Sequence, residues 1–192
     1  MYVKGLLEEA PDGDMLGSFW ESAPPSLKRE IFSTIAEPIL NFKDIPAEAM
    51  DRIMSLLNFR IKSLEGESTD ECIELEPVGL WFTSSKFDPV SFIDYLITAT
   101  NLTGGKLLGR KEVLTLMAEI SHEVPEKVID CLIPMFNRDL AWELSYASAE
   151  ARSVLENVLI SGNETAIEKA EHLRDKTLAD GIKTFEGLLR PS

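Results

Sequence analysis

The residues of this chain that could do chemistry are few and scattered. There are two histidines, His122 and His172, and two cysteines, Cys72 and Cys131. A nucleophilic triad needs a base held against a nucleophile, and neither histidine lies in a nucleophile motif such as Gly-x-Ser-x-Gly. His122 closes a helical pattern, where positive charge is favourable, and His172 sits in a polar stretch, so both read as structural. No pair of Cys or His has zinc-ligand spacing. The cysteines lie among apolar residues and read as buried free thiols, as expected in a reducing cytosol. Asp12, Asp14 and Gly17 imitate the opening of an EF-hand, but Ala23 stands where a bidentate Glu is required. Gly104-Gly105-Lys106 lacks the earlier Gly, the Ser/Thr after Lys and the preceding strand of a phosphate loop. The expectation is a non-catalytic chain with no cofactor and no metal.

Charge narrows the partners. Nineteen Lys and Arg face 33 Asp and Glu, a net charge of −14. Such a field repels a phosphate backbone and an anionic membrane surface, and the only basic doublets, Lys28-Arg29 and Arg110-Lys111, are isolated. Nucleic acid and membrane are therefore excluded as expected partners, and a protein partner remains. The acids concentrate over 65–76, where Glu65, Glu67, Asp70, Glu71, Glu74 and Glu76 stand without a Lys or Arg between Lys62 and Lys86. This segment reads as a solvated loop and helix start capped by Thr69 or Asp70, or as an acidic docking patch for a basic partner. The candidate partner contacts are Glu67, Asp70, Glu71 and Glu74, together with Trp142, which lies in the weakly periodic stretch 138–147 and could anchor a contact.

The elements that would position these residues are helices. Strand signals are scarce. Over 46–64, Met50, Ile53, Met54, Leu57, Ile61 and Leu64 form one stripe of a 3.6-residue helix opened by Pro46. Val113, Leu116, Met117 and Ile120 repeat the spacing over 110–122. Ala151, Val154, Leu155 and Val158 do so over 148–161, with Ser148 as N-cap. Asn163 caps a further helix that faces inward through Ala166, Ala170 and Leu173. Leu27, Ile31, Ile35 and Ile39 outline a helix over 26–41. Pro38, Pro77 and Pro134 should kink or shorten 26–41, 70–84 and 125–137. Segment 88–102 is apolar nearly all round and should be central. A short helix is expected over 182–189.

Helix openings near Pro46, Asp88, Val124 and Asn163 recur about every 40 residues, the period of HEAT or armadillo helix pairs. The expected fold is all-α: antiparallel helix pairs stacked as a right-handed, HEAT/armadillo-like α-α superhelix over 1–192, a single domain. An irregular helical bundle is the alternative.

Two segments carry a resemblance. One runs from Gly79-Leu-Trp-Phe-Thr-Ser-Ser-Lys-Phe-Asp88 on to Thr103-Gly104-Gly105. The other comprises Ala151-Arg152, Leu155, Ser161-Gly162, Ala170, Leu173, Gly181 and Phe185-Glu-Gly-Leu-Leu189. Together they resemble the C-terminal helical region of large bacterial NACHT/STAND-type P-loop NTPases. The resemblance implies a sensor or scaffold region whose ATPase lies upstream, and hence a fragment of a larger protein. No Walker motif occurs here, so no catalytic residue carries over. The expected function is a non-catalytic protein-interaction, scaffold or sensor domain. The alternatives are a small helical enzyme with an acidic pocket near Trp142 and a ligand-binding module with a cavity near Trp81 and Phe92.

Overall fold

The computed structural model describes residues 14–136 and 147–189 of the chain. Among the described residues there are nine α-helices, two 3-10 helices and no strand. They are α1 (Asp14–Ser22), α2 (Pro25–Asn41), α3 (Ala47–Ser63), a 3-10 helix (Glu71–Leu75), α4 (Val78–Phe82), α5 (Pro89–Leu102), α6 (Arg110–Ile120), α7 (Pro125–Met135), α8 (Ser148–Leu159), α9 (Glu164–Ala179) and a second 3-10 helix (Lys183–Phe185). The all-α expectation holds.

Local chemistry explains where the helices begin. Pro25, Pro89 and Pro125 occupy first-turn positions, where a missing N–H costs no helical bond. The Asp88 carboxylate accepts from the Ser91 amide at 3.0 Å, and the Asn163 side chain accepts from the Ala166 amide at 2.9 Å, each satisfying an otherwise orphaned donor. Ser148 does not cap α8 as expected. Ala147 holds the cap position, and Ser148 is already helical.

The prolines act less uniformly than the sequence implies. Helix α2 runs three residues beyond Pro38, and α7 one residue beyond Pro134; so close to a C-terminus, little ladder remains to be broken. Pro77 divides its segment completely. It has no N–H to give to residue 73, and 70–84 becomes a 3-10 turn followed by the five-residue α4. The helix expected over 182–189 shrinks to Lys183–Phe185, because Glu186 is extended and Gly187 takes a φ of +78°. The buried face of α2 also differs from the expected stripe. Leu27 is 41% exposed, and Phe32 and Ala36 go inward beside Ile35 and Ile39.

Packing follows an alternating order. Helices α2, α4, α6 and α8 touch in succession, and α5, α7 and α9 form a second row. Consecutive helices from α4 to α9 also touch across the rows. Between the rows lies one continuous core, with Trp81, Phe82, Ile93, Leu96, Leu114, Leu132, Met135, Phe136 and Leu155 at most 1% exposed. As expected, α5 is central, burying Phe92, Ile93, Leu96, Ala99 and Thr100.

The loop between α5 and α6 is locked into this core. Gly105 has a φ of +89°, and a Cβ there would strike the Pro134 carbonyl. The Gly105 carbonyl accepts from Nη2 of the buried Arg110 at 3.1 Å. Gly79 of α4 leaves room for the Leu108 carbonyl, and the Leu108 amide donates to Glu76 O at 2.8 Å. Gly105→Ala is expected to cost about 2–4 kcal/mol, combining left-handed backbone strain with overpacking, read from urea unfolding.

Candidate functional site

The acidic segment after α3 forms a ridge. Glu65, Glu67, Asp70 and Glu71 are all exposed on it. Asp70 stands at the N-terminal end of the 3-10 turn without making a side-chain capping bond. Glu74, expected to be a surface contact, is 0% exposed. The turn is pinned against α2 by buried Cys72 and Leu75, and Glu74 between them is carried inward.

Below the ridge Glu74 meets Arg60, Nε to Oε1 at 2.6 Å, with side-chain exposures of 0% and 6%. Burial pushes the Glu74 carboxyl above the ordinary glutamate value, and the Arg60 hydrogen bond and charge, then the Lys28 charge, pull it back. The Arg60 guanidinium lies 5.0 Å from the Trp20 ring centroid and 5.8 Å from that of Phe59. Arg60 thus ties α1, α3 and the 3-10 turn together. Two buried atoms around it have no hydrogen-bond partner, Trp20 Nε1 and Glu74 Oε2.

A cleft of about 430 Å³ opens over this arrangement, lined by Trp20, Glu21, Lys28, Phe59, Arg60, Ser63, Leu64, Glu67 and Glu71. Lys28 is only 8% exposed, and its side chain forms no ion pair or hydrogen bond among the described residues. The local potential on the ridge side is negative. The Cys72 thiol is raised first by burial, then by Glu74, Glu67 and Glu71. The structure therefore brings Glu67 and Glu71 to one cleft, sets Asp70 beside them on the ridge, and turns Glu74 into a buried counter-ion. Trp142 lies outside the described residues.

The other candidate residues lie apart from this cleft. His122 and His172 are exposed. His122 lines a separate groove with Glu119 and Glu150 between α6 and α8. Both cysteines are free and buried. Burial pushes the Cys131 thiol up to about 12, with Thr100 Oγ1 3.4 Å away. Trp81 and Phe92 are packed in the core at 0% and 3% exposure. The basic doublets are not free patches either. Lys28 and Arg110 are buried, Arg29 pairs with Glu76 at 2.6 Å, and Lys111 pairs with Glu150 at 3.4 Å.

Sequence reasoning missed Lys28 and Arg60. The signal was their phase. Arg60 continues the stripe Ile53–Leu57–Leu64, and Lys28 continues Phe32–Ile35–Ile39, so each cation sits where a core residue is due. Among the described residues, no three His, Cys, Asp or Glu side chains group to hold a metal ion, and no helix is long and apolar enough to cross a membrane. No protein-family model, curated protein or solved structure matches the chain.

Proposed function

We propose that this chain is a protein-interaction or scaffold domain, built as a HEAT-like stack of helix pairs and binding a basic partner through its acidic surface. The observation that carries this reading is the alternating helix order, α2–α4–α6–α8 in one row and α5–α7–α9 in the other. A stack of this kind seals each pair against its neighbours and leaves a long surface free. Its net charge of −14 and the unpaired ridge acids Glu65, Glu67, Asp70 and Glu71 suit a partner with basic or aromatic anchors. The resemblance to the C-terminal region of bacterial STAND-type NTPases extends the proposal. The domain would be the cytoplasmic recognition end of a larger ATPase, a reading supported if the genomic frame continues upstream into a Walker motif.

Selection of binders from a displayed peptide library, followed by calorimetry on purified peptides, tests the interaction. Binders should be basic, and their affinity should fall as salt screens the charges. The double reversal Glu65→Lys/Asp70→Lys, at two exposed positions outside the cleft, should weaken them about tenfold or more. Binders indifferent to both salt and the reversal would count against an acidic docking face.

A further inference from the structure

We propose that the cleft beneath the ridge binds a zwitterion of the basic amino-acid type. Its carboxylate is held by Lys28 and Arg60, its aliphatic stem lies along Phe59 and Leu64, and its cationic end is held by Glu67 and Glu71. This goes beyond the interaction-domain reading and does not rest on it: the two share the ridge acids Glu67 and Glu71, but the cleft is argued from the cations Lys28 and Arg60 beneath them.

The inference comes from unequal charge at two depths. At the base, one buried carboxylate serves two buried cations. Glu74 accepts its hydrogen bond from Arg60, and Lys28 is left more than nine-tenths buried with no ion pair of its own. The Lys28 ammonium lacks a direct counter-ion of its own, so an incoming carboxylate supplies what the chain does not. Lys28 lines the cleft, so a ligand there reaches it. At the rim the imbalance is reversed. Glu21, Glu67 and Glu71 line the same opening, and none forms an ion pair among the described residues.

These two layers reject most simple ligands. A phosphate or dicarboxylate that reached Lys28 would pass three glutamates, and a plain amine held at the rim would leave the base uncompensated. A molecule with a carboxylate at one end and a cation several bonds away satisfies both layers, best where the nitrogen next to the carboxylate is a neutral amide, as in a chain terminus, and brings no second cation to Lys28 and Arg60. The cleft, at about 430 Å³, falls in the size range of small-molecule sites. Trp20 and Phe59, already stacked about Arg60, give the stem an apolar wall.

Two sources share this chemistry: a free basic amino acid, and the C-terminal Lys or Arg of a peptide. Titration of the full chain, followed by calorimetry and amide NMR, separates them. The probes are arginine, lysine, argininamide, norleucine, and one peptide ending in arginine with its C-terminus either free or amidated. Arginine, lysine or the free-acid peptide should perturb the amides of α1, α2 and the end of α3. Argininamide and the amidated peptide lack the carboxylate, and norleucine lacks the side-chain cation; each should bind roughly tenfold more weakly or worse. Lys28→Met keeps the aliphatic stem and should lose a similar factor, whereas Lys28→Arg should retain binding. Binding by the amino acids identifies a metabolite site, and binding by the free-acid peptide alone identifies a chain terminus. The proposal is overturned if no probe binds, if arginine and argininamide bind alike, or if Lys28→Met binds as well as the parent. The arginine–argininamide comparison needs no variant, so a folding defect in Lys28→Met would not obscure the answer.

Discussion

Arg60→Met should lower the stability of the chain by about 3–5 kcal/mol, because it strands the Glu74 carboxylate in the interior without its counter-ion. The double replacement Arg60→Met/Glu74→Leu should recover most of that loss. A buried pair contributes little net over apolar side chains of similar volume, and the damage comes from leaving half of it behind. Urea unfolding of the parent, both single variants and the double variant gives the coupling directly.

The pH dependence has a defined sign. Glu74 has a folded-state value above its unfolded one, so the native state holds the proton more tightly. The associated stability is fully present below the unfolded value and is lost as pH rises through the folded value. Removing Arg60 deletes the largest opposing influences, so Glu74 should rise further. The deficit of Arg60→Met should therefore be small in acid and should widen as the pH climbs above the ordinary glutamate range. A deficit that stays flat with pH would mean that Glu74 is not the group left stranded.

Trp81→Ala should cost a similar amount, about 3–5 kcal/mol, typical of removing a fully buried large aromatic. Trp81 is 0% exposed, its ring stacks 5.2 Å from Phe32 at an interplanar angle of 7°, and its indole N–H donates to Phe32 O at 3.2 Å. The side chain thus joins α4 to α2, in a helix of only five residues that has little internal stability of its own. Trp81→Phe keeps most of the apolar area but removes the donor, and should cost less than half as much. Equilibrium unfolding with a far-ultraviolet readout measures both. A loss below about 1 kcal/mol for Trp81→Ala would mean that α4 is not a structural part of the helical core.

The helices were legible wherever the apolar period was long and its opening chemistry local. Helices α5 and α9 follow their stripes and caps closely, whereas α3 and α6 form where expected but turn Leu56 and Arg60, and Arg110 and Leu114, fully inward while Met50, Met54, Ile61 and Leu116 stay half-buried. Legibility failed where a tertiary contact decided the outcome. Leu27 fits a helical stripe as well as Phe32 does, and it is tertiary contact, with the rings of Trp81 and Trp20 against Phe32, that draws Phe32 inward. The segment 70–84 contains both a proline and an acid run, and no local rule says that the break falls at Pro77 or that Glu74 turns under the ridge. The candidate site was half visible. Glu67 and Glu71 stand out as unbalanced acids, but of the opposing cations Lys28 lies 39 residues before Glu67, and Arg60, though close by in the last turn of α3, sits in the phase of an apolar face. Each was readable only as a cation lying on an otherwise apolar face.

Native-state hydrogen exchange along the full chain tests the stacked arrangement most directly. In a stack, each helix pair is held only by its neighbours, so protection is lost in steps that follow neighbour order. The amides of α8 and α9 should open at lower free energy than those of α5, α6 and α7, with α7 the last to lose its contacts on that side. If the slow amides of α2 and α4 through α9 instead all open at one common free energy, the helices share a single cooperative core. The stacked reading, and the extended docking surface inferred from it, would then be contradicted.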